Sequence, residues 1–443
     1  MIRSSHLLSI LILVILSTAA GCQLTANTGQ TSEDLIPREN PDSPNASYIN
    51  GKWYTIDGQD SRFTERTLYS QNGLFSSEEP ARIDTVIDLR GAYIVPPLGD
   101  AHNHAFADEY SVGFSKDLFL ENGIFYALNL TNPYSGAVVV MDTISRPETI
   151  DVAYSHGGIS AKKGSRPHPA SVMERSYGYL SADTTTRWPL EGNAYWFMNS
   201  EEDFTDKWPQ LMDQNPDVVK VYIMRYGEQD SDLPECGYGL CPNVLQMITD
   251  SAQAEGKRVF AHVNTAKDFQ LALVSGVNAI SHLPLGNDGL TINDAPPLTL
   301  ADTTIRKAGE MGITLTPTAH LLSEDLKSFR TDTLSDIIAL QRDQLQKLKE
   351  AGVTVALGAD GWNDDPTREV MHLNAYDIFT NRELLKIWSY DTPKTVFPNR
   401  KIASFSDGYE ASFVALGCDP TSEFTCIKNI KTLVKNGVMI NID

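Results

Sequence analysis

At 443 residues the chain can bury a large core, enough for one big α/β barrel and a small accessory domain. Hydrophobic residues make up 41% and charges are spread rather than blocked, the composition of a soluble globular protein. The net charge of −21, with no basic stripe to meet phosphates, argues against a nucleic-acid partner.

The chain opens on an expected targeting segment, residues 1–21. Arg3 supplies a short positive start, and Leu7 to Leu16 are apolar apart from Ser9, a run too short to span a bilayer. Small residues follow, ending Ala19-Ala20-Gly21-Cys22. This ending resembles a bacterial lipoprotein signal, in which Cys22 becomes the lipidated first residue of an exported protein. A plain secretory signal cut after Ala20 is the alternative. By the same resemblance, Gln23 favours anchoring to the outer membrane, with the protein facing the periplasm. Residues 22–47, rich in Thr, Ser, Asn, Pro and Glu and without periodicity, read as a flexible tether.

Short β-like runs come next: Tyr48-Ile49, an Asn50-Gly51 turn, Lys52 to Ile56, an Asp57-Gly58 turn and Thr85 to Leu89. From Asp100 to about Asn399 the rhythm becomes strands alternating with helices. The strand-like runs are Phe125 to Leu130, Val138 to Met141, Val218 to Ile223, Arg258 to Val263, Ala279 to His282, Thr314 to Pro317 and Thr354 to Gly358. Leu334 to Ala351 carries Leu340, Leu345 and Leu348 near helical spacing. Repeated βα units of this number predict an α/β fold with a parallel TIM-type barrel. Ser412 to Leu416 and Thr432 to Ile440, with an Asn436-Gly437 turn, return to β. The implied division is 48–97 plus 400–443 as a small β domain from both chain ends, and 98–399 as the barrel.

Four cysteines remain after Cys22, in two close pairs, Cys236 with Cys241 and Cys418 with Cys426. In an oxidising compartment an even count in short-range pairs reads as two local disulfides. One zinc site built from all four thiolates is the rival reading. The Gly-Tyr-Gly-Leu insert of the first pair, and the distance in sequence between pairs, favour disulfides.

The chemistry-bearing residues sit at the ends of the apolar runs. Val95 to His104 ends in His102-Asn103-His104, and residues i and i+2 of a strand share a face, so two imidazoles project together. Two neutral imidazoles make half a site for a cation such as zinc. Lys220 stands inside the β-branched run Asp217 to Ile223, where an unpaired buried ammonium costs several kcal/mol. It is either an edge-strand lysine in solvent, or a barrel lysine whose lowered pKa lets it react with carbon dioxide. His262 and His282 each close a short run, and C-terminal strand ends are where a barrel gathers reactive residues. Asp360 follows the Val353 to Ala359 run and could ligate a metal and accept a proton from its water.

This order of His-x-His, Lys, His, His and Asp resembles the amidohydrolase superfamily, from about Tyr48 to Met439. The lead-in Val86 to Pro96 is similar to the family's approach to its first barrel strand. Ala261 to His282 looks most like the imidazolonepropionase-like and Xaa-Pro dipeptidase-like branch. The resemblance implies a distorted (β/α)8 TIM barrel with an accessory β-sandwich formed from both chain ends, and two divalent metals. His102, His104 and Asp360 would hold the more buried metal and His262 and His282 the second, with a Lys220 carbamate bridging them. Zinc is the default for this ligand mix, and manganese and iron are compatible. The implied reaction is attack of a metal-bound hydroxide on a C–N, amide-type bond of a small-molecule or peptide-like substrate. Asp360 would carry the proton to the leaving group.

Tyr222 shares a strand face with Lys220 and could reach the substrate, although a core tyrosine is the plainer reading. Arg225 begins the loop that holds Cys236 and Cys241, and could clamp a substrate carboxylate or face solvent. With the ligand set full, His156, His168, His320 and His372 are expected at the surface or in the pocket wall. Lactonase- or phosphotriesterase-like chemistry and a mononuclear deaminase are the alternatives within catalysis, and Lys220 speaks against the latter. A silent surface lipoprotein binding metal or solute is the non-enzymatic alternative, opposed by the complete ligand set.

Overall fold

The computed structural model describes residues 35–56, 61–163, 167–180, 185–227, 236–284, 298–323 and 334–441. The expected signal, Cys22, the first part of the tether and the Asp57-Gly58 turn lie outside them. Strands β1 (Ala46–Thr55), β2 (Arg62–Gln71), β3 (Leu74–Ser76), β4 (Thr85–Asp88) and β5 (Tyr93–Val95) come from the N-terminal side. The barrel region carries β6 (Leu98–Asn103), β7 (Ile124–Asn129), β8 (Asp151–Tyr154), β9 (Gly158–Ser160), β10 (Tyr195–Phe197), β11 (Val218–Tyr222), β12 (Arg258–His262), β13 (Ala279–Ser281), β14 (Thr314–Thr316) and β15 (Thr354–Val355). β16 (Phe413–Leu416), β17 (Ile430–Lys435) and β18 (Val438–Ile440) follow.

The two chain ends share one sheet, ordered β18-β17-β16-β5-β1-β2-β3, with β4 on β1. Its buried face is aromatic: Trp53 meets Phe405 and Phe413 edge-on at 4.9 and 5.2 Å, and Tyr48 meets Phe413 at 5.1 Å. Asn50-Gly51 does not turn the chain here. Asn50 takes the left-handed backbone, φ 59°, and the pairing of β1 with β2 shifts register between Tyr48 and Gly51, so the dipeptide is a bulge inside one long strand. The expected flexible tether also ends early. Ile36 N–H donates to Asn399 O at 2.8 Å, and Arg38 pairs with buried Asp151 at 3.0 Å, which ties the chain down from residue 36 onward.

The barrel is parallel throughout and distorted at one seam. β6, β7 and β8 pair in order, and β11 to β15 pair in order. Asp360 N–H to His102 O, 2.7 Å, and Ala101 N–H to Leu357 O, 2.8 Å, close the chain after β15 onto β6. At the other seam β8 stops where His156 turns left-handed, φ 53°, and β9 takes over beside β11. Asp217 spans the break, donating its N–H to Tyr154 O and accepting Tyr154 N–H, both at 2.8 Å.

Val138 to Met141 is not a strand. Val138 to Val140 lie in a helix, Tyr134–Val140, started by extended Pro133 and capped by Met141, with Ala137 and Val140 buried three residues apart and Val138 and Val139 outward. Its place in the barrel is taken by Asp151–Tyr154. The helix Leu334–Glu350 forms as its spacing predicts. Cys236 is bonded to Cys241, and Cys418 to Cys426. Among the described residues no helix is long and apolar enough to cross a membrane.

Candidate metal centre

Five of the six residues singled out as ligands come from the C-terminal ends of barrel strands, and Lys220 from the middle of β11. β6 delivers His102 and, one step beyond its end, His104. β12 ends on His262, His282 follows β13, and Asp360 lies in the turn after β15, with left-handed backbone at His282 (φ 78°) and Asp360 (φ 53°). Those two strained turns bend the chain so that side chains from opposite sides of the barrel meet over its axis.

Asp360 Oδ1 is the meeting point, 3.1 Å from His102 Nε2 and 3.0 Å from His104 Nε2. Its Oδ2 is 3.8 Å from His282 Nδ1. Nitrogen and oxygen donors of His102, His282 and Asp360 all lie within 4.8 Å of one another. The His262 ring packs against that of His282, 4.5 Å between centroids. Lys220, 1% exposed, donates to Ser281 Oγ at 2.8 Å, and among the described residues no carboxylate forms an ion pair with it.

Protonation favours ligation. Burial lowers the pKa of His102 to about 4, with the Asp360 charge opposing. His282 and His262 fall well below the ordinary range, burial again leading, so the imidazoles present lone pairs at neutral pH. Burial would raise Asp360, but His102, His282 and the bonds from His102 and His104 hold it far below the usual carboxylate range. Burial brings Lys220 down to about 7, again against the pull of Asp360.

Outer contacts fix which nitrogen faces inward. The Thr131 carbonyl can only accept, so His104 Nδ1, 3.2 Å away, carries a hydrogen, and Nε2 is the nitrogen turned to Asp360. Thr318 Oγ1 donates to Pro317 O at 2.9 Å and therefore accepts from His282 Nδ1 at 2.6 Å. This leaves His282 Nε2 as the free donor atom. The 318–320 turn is held from behind by Glu369, fully buried, which accepts the N–H groups of Ala319 and His320 and pairs with the His320 ring at 2.8 Å. Among the described residues, His102 Nδ1 and His262 Nε2 are buried without a partner. Convergent neutral imidazoles, one carboxylate and orphaned ring nitrogens are a donor set that divalent cations fit.

Tyr222 joins the site wall, its hydroxyl 2.9 Å from Thr131 Oγ1 and its ring 5.1 Å from that of His262. Arg225 is held elsewhere in its loop: its N–H donates to Asp268 Oδ2 at 3.0 Å and its guanidinium lies over Tyr238 at 4.9 Å. His168 is drawn inward, its ring 5.3 Å from that of His262 and 5.0 Å from that of Tyr222. His320 and His372 are buried behind the centre, and His156 packs between Tyr134 and Tyr154. Trp362 was not singled out in sequence, yet its indole stacks on His104 at 4.7 Å. A large aromatic residue two positions after a carboxylate ligand was the available signal.

A model described as "Amidohydrolase family" matches residues 197–440. Among solved structures, the chain is similar to the ochratoxinase of A. niger at 18% identity, covering 90% of this chain and 95% of that one, TM-score 0.68. A Xaa-Pro dipeptidase solved with methionine in its active site is 15% identical over 90% and 100% of the two chains, TM-score 0.70. Molinate hydrolase is 15% identical over 90% and 95%, TM-score 0.67. No curated protein matches the sequence.

Proposed function

The chain belongs to the amidohydrolase family, and from that membership and the geometry of the centre we propose that it is an exported, lipid-anchored, binuclear metal-dependent hydrolase of an amide-type C–N bond. The observation that carries this reading is the convergence of His102 and His104 on Asp360, with His282, His262 and a buried, carboxylate-free Lys220 alongside. His102, His104 and Asp360 would hold one cation, and His262 and His282 the other. Lys220, as the neutral amine, would add to carbon dioxide and release one proton, giving a carbamate between the two positions. Two divalent cations there, zinc by the nitrogen-rich donor set, would supply Lewis acidity, acidifying a bound water and polarising the scissile carbonyl.

The protein's own part follows from the geometry. Asp360, with its side chain 19% exposed, is the carboxylate at the mouth of the centre. It accepts the proton of the attacking water and returns it to the departing nitrogen as the C–N bond breaks. His168 and Tyr222 line the side of His262 and offer hydrogen bonds to a polar group of the substrate. Buried walls exclude bulk water and strengthen these interactions.

A single-ion centre on His102, His282 and Asp360 is the second reading, favoured by the mutual approach of those three donor sets, and it fits a deaminase better. Metal content per chain of wild type and Lys220→Ala decides between them. Close to two ions falling sharply in the variant supports the binuclear reading. One ion unaffected by the substitution favours the deaminase, and no ion refutes both.

A further inference from the structure

The space in front of Asp360 has two unlike walls. On the His262 side stand His168 and Tyr222, both polar. On the His104 side stands Trp362, its indole plane within 25° of the His104 imidazole and 4.7 Å from it. His104 N–H donates to Gly361 O at 2.9 Å, so the backbone just before the tryptophan is fixed to the same strand end as the ligand. The indole is only partly buried. Behind it lies a cluster of Ala107, Ala170, Met173, Tyr177, Tyr195 and Phe197. Ala170, Met173 and Tyr177 come from the excursion between β9 and β10, the same excursion that carries His168.

A bulky indole at the rim of a hydrolytic centre has three ways to act: as filler, as a prop for His104, or as a surface for substrate. A filler would be covered on all sides, and this one is not. A prop is already present, because Thr131 O and Asp360 hold both nitrogens of His104. What remains exposed at the rim of the centre is part of an indole with apolar backing, and flat rings pair with aromatic side chains in offset or edge-on geometry.

We infer that Trp362 is a specificity-determining residue and that the substrates of this centre are amides carrying an aromatic ring next to the scissile carbonyl. The inference rests on the metal-hydrolase reading above. The ring would lie along Trp362 while the carbonyl meets the centre and Asp360 faces the nitrogen.

The test uses purified full-length protein loaded with zinc and two metal-binding probes that differ only in the ring, acetohydroxamate and benzohydroxamate, read by calorimetric titration. Metal content is measured on every variant. Wild type should bind benzohydroxamate on the order of tenfold more tightly than acetohydroxamate, the size expected for one well-placed aromatic pair plus its buried area. Trp362→Ala should lose that preference while retaining metal and acetohydroxamate affinity, and Trp362→Phe should keep most of it. Equal binding of both probes by wild type overturns the inference. So does a parallel loss of both probes and of metal in Trp362→Ala, which would make the indole a prop for His104. Failure of wild type to bind metal or either probe would instead refute the metal-hydrolase reading, and the inference with it.

Discussion

Thr318→Val tests whether the contacts behind the ligands set metal affinity. Valine keeps the shape of threonine but removes the hydroxyl that accepts from His282 Nδ1 at 2.6 Å. Thr318 is fully buried, so no solvent replaces the lost acceptor. An unsatisfied buried donor costs about 1–3 kcal/mol. His282 can recover part of this by moving its hydrogen to Nε2, which blocks that lone pair, or by swinging Nδ1 toward Asp360 Oδ2, already 3.8 Å away, which takes Nε2 out of register with His262. Outer partners of metal-bound histidines typically contribute about 10–100-fold in affinity. Competition of the protein with a chromophoric chelator, read stepwise, should show one site of Thr318→Val loosened by about that range, the other changed far less, and Thr318→Ser close to wild type. Unchanged affinity of both sites in the valine variant would refute the claim that this hydroxyl fixes the His282 tautomer.

Three further outcomes follow from other parts of the molecule. Burial would raise the pKa of Asp151, but Lys435, Arg400 and Arg38 outweigh it and hold it at about 2, below the ordinary 3.8. A carboxylate lowered on folding stabilises above its unfolded pKa and loses that contribution as pH falls toward the folded one. About 2 kcal/mol should therefore disappear between pH 4 and pH 2 in chemical denaturation. Asp151→Asn should flatten that arm and lose about 3–5 kcal/mol at neutral pH, because Lys435 stays buried without its carboxylate and Arg400 keeps only Glu410; an unchanged acid profile would count against this assignment. Gly358→Ala would place a Cβ 2.5 Å from His102 Cβ, so metal content should fall together with roughly 1–3 kcal/mol of stability, whereas wild-type metal content would show that β6 can yield. Cys22→Ser should move the protein from the membrane fraction to the soluble fraction and abolish incorporation of labelled palmitate; retention at the membrane would refute the proposed anchor.

The candidate ligands were legible in sequence for a physical reason. A metal-binding side chain at the end of a barrel strand is preceded by the apolar run that buries the strand, so Val259-Phe260-Ala261 points to His262 and Ala279-Ile280-Ser281 to His282. What surrounds them is set by loops, and loops carry no period. Thr318, His168 and Trp362 reach the centre through turns whose direction depends on a left-handed residue or a partner distant in sequence. The third barrel strand was hidden differently. Asp151-Val152-Ala153-Tyr154 is short and begins with a charged residue that is acceptable inside only because Lys435, Arg400 and Arg38 arrive from the two chain ends. The apolar run Val138 to Met141 looked more strand-like and is helical, with Gly136 allowing its helix to lie against the Ala107 carbonyl.

The two buried charge sites of this chain are built on opposite logic. At Asp151 every charge has a partner: one carboxylate meets three cations and Glu410 takes a second bond from Arg400, so that site is complete as a protein. At the centre the accounts differ. Among the described residues Lys220 has a hydroxyl but no carboxylate, His102 Nδ1 and His262 Nε2 have no partner, and Asp360 meets His102 and His282, which burial keeps neutral at physiological pH. Burial of this kind is costly for folding unless something else satisfies it. A chain that pairs its charges so fully at one end of β8 shows that it can do so, and the shortfall among His102, Lys220 and His262 is therefore what supports the proposal that these groups serve a bound ligand rather than one another.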